Sequence, residues 1–206
     1  MNRRAMTKLD LKMLPTLAAA LLPLSLAACG TDAPAERPPL EGARIGGPFT
    51  LAGRDGKPVT WSQFDGKYRI VYFGYTFCPD ACPMDVSVMM RGFDRFKARH
   101  PDLAAQVRPI FISIDPARDT SPRVGEFAAA FSPDLTGLTG TPAQIDAAAK
   151  AFGAFYAKGK PAGDGYLMDH SRAAYLMGRK GEPIALLPID RNDPDAVAAE
   201  LVKWVK

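Results

Sequence analysis

Hydrophobic positions along the chain change period several times, and each change marks an element. Tyr68–Gly74 (YRIVYFG) is a continuous β-branched and aromatic run, the pattern of a strand covered on both faces. From about Cys82 to His100 the period becomes helical: Val86, Met89, Met90, Phe93 and Phe96 share one face, and Pro101 ends the run. Val107–Ile114 (VRPIFISI) predicts a second buried strand. Pro122–Phe131 then reads as a helix and Asp134–Leu138 as a short strand. Thr141-Pro142-Ala143-Gln144 has the form of a capping box with proline at the first helical position, and launches a helix to about Phe152. Ala173–Met177 and Pro183–Leu187 form a hairpin across Gly178-Arg179-Lys180-Gly181, and Asp193-Pro194 opens a last helix ending near Val205. An extended pair, Phe49–Leu51 and Pro58–Trp61, precedes all of these around the turn Gly53-Arg54-Asp55-Gly56.

Strand, helix, strand, helix, then an antiparallel hairpin and a helix is the order of a thioredoxin-like α/β fold. The N-terminal strand pair and the inserted helix 141–152 elaborate on it. The expected organisation is a signal peptide at residues 1–28, a lipid-anchored flexible linker at 29–44 and one folded domain at 45–206. The first of these rests on a basic stretch, Arg3 to Lys12, followed by the sixteen-residue apolar run Met13–Ala28, which Pro15 and Pro23 interrupt. A spanning helix needs about 20 apolar residues, so the run suits an export signal. It ends in Leu26-Ala27-Ala28-Cys29, resembling the lipobox of bacterial lipoproteins, with Cys29 as the acylated residue. An uncleaved anchor ending in cysteine is the alternative, and either one tethers an exported domain to a membrane. Gly30–Glu41 (GTDAPAERPPLE) is a Pro-rich polar spacer.

Charge adds little beyond this. The net charge is +4, but four of the 26 basic and one of the 22 acidic side chains fall in residues 1–28. The remaining 22 against 21 leave no basic surface that calls for nucleic acid. Cysteine usage adds more. Three cysteines are awkward in an oxidising compartment, but lipidation of Cys29 leaves Cys78 and Cys82 as a pair.

That pair lies in Phe77-Cys78-Pro79-Asp80-Ala81-Cys82-Pro83, where the first buried strand passes into the long helix. Cys82 sits at the helix N-terminus, whose dipole favours a thiolate, and Pro83 suits the first turn. Three residues separate the cysteines, which allows a disulfide or two sulfurs facing one ion. A purely structural disulfide is a poor reason for the motif, because closing so short a loop constrains the unfolded chain little. Of the two histidines, His100 ends the long helix and complements its dipole. His170, in Asp169-His170-Ser171, precedes the hairpin strand where a thioredoxin-like fold approaches its cysteine loop. Two thiolates and one imidazole form a soft, three-coordinate set suited to Cu(I), and secondarily Cu(II), whereas Zn(II) would want a fourth ligand. Asp169 is placed to orient the imidazole from behind. A capping or core role for His170 stands as the alternative. Met89, Met90 and Met177 read as core, while Met84 and Met168 are close enough in sequence to line the site. Asp115-Pro116-Ala117-Arg118-Asp119-Thr120 reads equally as a turn or as a charged rim.

With these pieces in place, the chain resembles the Sco/SenC family of copper chaperones for cytochrome c oxidase assembly. The matching segments are Val71 to Pro83 (VYFGYTFCPDACP), Ile112-Ser113-Ile114-Asp115-Pro116 with Arg118-Asp119-Thr120, and Asp169-His170-Ser171 followed by Tyr175-Leu176-Met177. The resemblance implies Cys78, Cys82 and His170 as copper ligands. It also implies oxidase subunit II as partner; other periplasmic copper chaperones or thiol reductants are further expected partners, and the export signal and lipobox lead us to expect the domain on the periplasmic side of a bacterial cell envelope. Phe77 and the lipobox depart from the family pattern, which often has histidine and a transmembrane helix there. A second class remains open: a thiol–disulfide oxidoreductase or thiol peroxidase working through Cys78 and Cys82.

Overall fold

The computed structural model describes residues 36–163 and 165–206. The candidate signal peptide, the lipobox and Cys29 lie outside them. Among the described residues no helix is long and apolar enough to cross a membrane.

At the centre is β3 (Tyr68–Gly74), buried along its whole length. It pairs in parallel with β4 (Val107–Ser113), which pairs in parallel with β5 (Thr136–Leu138). On its other side β3 pairs antiparallel with β8 (Ala174–Met177), and β8 with β9 (Pro183–Leu187). The five-stranded order is therefore β5-β4-β3-β8-β9. A strand flanked on both edges and both faces needs a continuous apolar run, and Ile70, Val71, Tyr72 and Phe73 supply it. Arg69 is the exception within the run. It is fully buried, and its guanidinium donates to the carbonyls of Gly178 and Arg179 at 2.8 and 3.0 Å and to Asp65 at 2.7 Å. It thus pins the β8–β9 turn to the start of β3.

Helix α1 (Ala81–Arg99) packs against α5 (Pro194–Trp204) on one side of the sheet. Their approach is close at Gly92, where a Cβ would fall 2.5 Å from Val197. His100 ends α1, its ring against Phe96, and Pro101 opens the one-turn helix α2 (Pro101–Ala104), so the proline both stops one helix and starts the next. The remaining helices are α3 (Ser121–Phe131) and α4 (Pro142–Phe152). In α4 both capping-box hydrogen bonds form between Thr141 and Gln144. The N-terminal pair is β1 (Thr50–Ala52) with β2 (Pro58–Thr60).

Two features differ from the sequence expectation. Part of the segment read as free linker is docked: the Leu40 amide donates to the carbonyl of Ile184 on edge strand β9 at 3.0 Å, and Glu36 pairs with Lys203 of α5. The compact unit accordingly spans Glu36–Lys206 rather than starting at Ile45. An open sheet edge offers unpaired amides and carbonyls, and the incoming chain uses one of them. The second difference is a further hairpin, β6 (Tyr156–Ala162) with β7 (Gly165–His170), which forms its own two-stranded sheet and ends at His170.

Candidate metal centre

The C-terminal ends of β3 and β4 define the floor of the site. Gly74 closes β3 where a Cβ would stand 2.9 Å from Tyr72 and Phe111 and 3.3 Å from the Cys82 sulfur, so only glycine lets the strand end this near the thiol. The next turn is fixed by Asp119. Its buried carboxylate accepts from the Thr76 amide at 2.9 Å, the Thr76 hydroxyl at 2.6 Å and the Ser113 hydroxyl at 2.6 Å. The cysteine loop is thereby tied to the end of β4. Asp115 is equally buried, accepting from Arg118 and Tyr166 at 2.5 and 2.7 Å. The 115–120 segment is thus an internal brace with a turn in it, not a charged rim.

Cys78 lies one turn ahead of α1, and its sulfur accepts the Cys82 amide at 3.3 Å. Asp80, at the N-cap position, makes no side-chain cap, so the sulfur serves one of the helix's orphan amides instead. Helix-end amides favour negative charge, and the Cys78 thiol is pushed down to about 3. Its contacts with Cys82 are the largest cause, and burial opposes them. Cys82, where the sequence suggested a dipole-favoured thiolate, is fully buried and its thiol is instead pushed up, first by the neighbouring Cys78 and then by burial. Both cysteines are free, and the shifts favour a thiolate at Cys78 over one at Cys82.

His170 reaches this pair from the end of β7. Its Nδ1 lies 2.9 Å from the Ser171 carbonyl, which can only accept, so Nδ1 carries the proton. The Nε2 lone pair then points at Cys82 Sγ, 3.0 Å away. Tyr72 and Tyr75 stand edge-on to the ring, with centroids at 6.2 and 5.9 Å. The segment around His170 is held twice more. The Ser171 hydroxyl and amide exchange hydrogen bonds with the Phe155 backbone at 2.9 Å. Arg172 grips the buried Asp85 of α1 through Nε and Nη2 at 2.8 and 2.6 Å, and Tyr72 donates to the same carboxylate at 2.9 Å. A cleft of about 380 Å³ opens beside the thiolate, lined by Cys78, Phe155, Met168 and His170 among others.

The fit to a metal follows from the donor set. Two sulfurs and an imidazole lone pair converge, a soft combination that suits Cu(I). Among the described residues no three His, Cys, Asp or Glu side chains stand in ligand positions as they are. Tetrahedral ligands at zinc-like bond lengths would lie roughly 3.5 Å apart, so the 3.0 Å Sγ–Nε2 contact is a hydrogen bond that must open slightly.

Asp169 is not brought to the ring. Successive residues of a strand face opposite sides, so Asp169 is exposed on the far side of β7 with its carboxylate over Gly159, and the Ser171 carbonyl orients the imidazole in its place. Met84 is half exposed, whereas Met89, Met90 and Met177 are core. Phe77 is 42% exposed beneath the guanidinium groups of Arg118 and Arg123. Asp85, Arg172 and Tyr166 had no local signal in the sequence, because each acts through a partner 51 or 87 residues away.

A mixed sheet with a dithiol at a strand–helix junction, faced by a histidine, defines a thioredoxin-like dithiol protein. The chain belongs to the SCO1/SenC family, whose model matches residues 37–206. It is 47% identical over 138 residues to Protein SenC of Rhodobacter capsulatus, covering 67% of this chain and 61% of that protein, so it spans about three-fifths of the relative's length. Among solved structures, Arabidopsis thaliana ScoI with copper bound is similar at a TM-score of 0.72 and 38% identity, over 77% of this chain and 96% of the other. BsSco, a member of the Sco family of cytochrome c oxidase assembly proteins with a disulfide switch, is similar at 0.59 and 26%, over 83% and 98%.

Proposed function

We propose that this protein is a copper metallochaperone that binds Cu(I) through Cys78, Cys82 and His170 and delivers it to the binuclear copper site of cytochrome c oxidase subunit II. The observation that carries this reading is the imidazole. A histidine whose Nδ1–H donates to a backbone carbonyl and whose lone pair is aimed at a buried sulfur is set up as a ligand, and dithiol exchange does not require it. Cu(I) arriving at the cleft would meet the Cys78 thiolate first. Binding to Cys82 releases that thiol's proton, and the cation replaces the Sγ–Nε2 hydrogen bond. The copper-bound Arabidopsis relative supports copper as cargo, and the family's part in oxidase assembly supports the acceptor.

Anchoring by a lipid at Cys29, with the domain in the periplasm, belongs to the same proposal. A second reading has its own observation. The thiolate at Cys78 and the thiol at Cys82 suit attack on a disulfide, after which Cys82 resolves the mixed disulfide. Two electrons and the Cys82 proton then pass to the acceptor, leaving a Cys78–Cys82 disulfide and one thiol and one thiolate on the acceptor.

The two are separated by mixing the reduced, Cu(I)-loaded protein with the metal-free soluble copper domain of subunit II. One copper per chaperone should appear on the acceptor when its cysteines are already reduced. Copper that stays behind, while an oxidised acceptor is reduced one-for-one, would make the protein a reductase.

A further inference from the structure

The histidine arm is attached to the body by a contact that the metal reading does not use. Strand β7 alternates, so Tyr166, Met168 and His170 share one face, and the β6–β7 pair is a separate sheet outside the main one. Its register irregularity lies on β6, between Lys158 and Pro161, which leaves the alternation of β7 intact. Four residues before His170, the Tyr166 hydroxyl donates to the buried Asp115 at 2.7 Å. Arg118 donates to the other oxygen of that carboxylate from Nε at 2.5 Å, and its guanidinium carbon lies 3.7 Å over the Tyr166 ring. The same guanidinium lies 4.8 Å over Phe77, the neighbour of Cys78. Its Nη2 is buried without a hydrogen-bond partner, so ring faces take the place of an acceptor there. One arginine therefore touches both the cysteine loop and the histidine arm.

We propose that Tyr166, with Arg118 and Asp115, is a positioning clasp that holds the β6–β7 hairpin shut, and that its opening sets how fast His170 leaves the metal. The inference rests on His170 being a ligand. The physical case is one of attachment. The Arg172–Asp85 pair and the Ser171–Phe155 hydrogen bonds hold the base of the hairpin, next to His170. Tyr166 holds it further out along β7. With the base fixed, the outer contact decides whether the strand lies flat on the site or swings. His170 must shift by a fraction of an ångström merely to admit a metal, so the clasp acts on the coordinate that the site uses.

Tyr166→Phe is the test, because it removes one hydroxyl and leaves the ring under Arg118. In the reduced, metal-free full-length protein, amide exchange across β6–β7 should accelerate about tenfold, the size expected when a hydrogen bond to a buried carboxylate is lost. Exchange in β3 should be unchanged. Unchanged hairpin exchange would overturn the clasp, whatever copper does.

In the Cu(I)-loaded protein, release to a chelator should accelerate by a similar factor. In a His170→Ala background the same substitution should change release by less than twofold, because no imidazole is left to position. Equal acceleration in both backgrounds would mean that Tyr166 acts elsewhere. If His170→Ala alone leaves copper binding untouched, the ligand assignment fails, and the exchange measurement still decides the clasp.

Discussion

Cys82→Ser should fold normally and lose Cu(I) affinity by roughly three orders of magnitude, because a hydroxyl is a poor donor to a soft cation. The fold is expected to survive for a structural reason. The serine hydroxyl occupies less space at a fully buried position and can donate to His170 Nε2, which Cys82 Sγ now meets at 3.0 Å. Cys78→Ser should show a comparable loss. Its oxygen can accept the Cys82 amide as the sulfur does, so α1 keeps its start. Competition for Cu(I) against a chromophoric chelator, with circular dichroism on the same samples, reads both outcomes. Near-normal affinity in either variant would remove that sulfur from the site.

His170→Ala separates copper binding from thiol chemistry. Losing the imidazole leaves two sulfurs, which Cu(I) tolerates, so its affinity should fall by about ten- to a hundredfold, and Cu(II) affinity further, since Cu(II) prefers nitrogen donors and higher coordination. Cys82, the main cause that holds the Cys78 thiol down, remains, so reduction of a model disulfide should continue. Copper competition and disulfide reduction are measured on one preparation. Unchanged copper affinity with collapsed thiol chemistry would make His170 a redox residue.

How much of this was legible in the sequence depended on whether the signal was local. β3, β4 and α1 announced themselves because each is buried along a whole face or both, and burial writes itself into the run of Ile, Val, Phe and Met. The α4 start was readable for a different reason: Thr141 and Gln144 interact three residues apart, within the reach of a motif. The β6–β7 hairpin left no such mark. Tyr156–Ala162 (YAKGKPA) is largely solvated and contains Gly159 and Pro161, so neither alternation nor β-propensity distinguishes it from a loop. Without that strand the face of Asp169 could not be assigned, and proximity in sequence suggested a contact that strand alternation forbids. Placement of His170 opposite Cys82 was expected from fold order and family resemblance. What orients it is the neighbouring Ser171 carbonyl together with Arg172 on Asp85 and Tyr166 on Asp115, two pairs that join residues far apart in the chain and had no local pattern to betray them.

The most direct measurement is a Cu(I) titration of the protein in both thiol states, with X-ray absorption at the copper edge on the loaded form. Reduced protein should bind one Cu(I) with two sulfurs and one nitrogen around it. Protein oxidised to the Cys78–Cys82 disulfide should bind none tightly, because a disulfide offers no comparable donor. Tight one-to-one binding by the oxidised protein, or a copper shell without sulfur, would contradict the site.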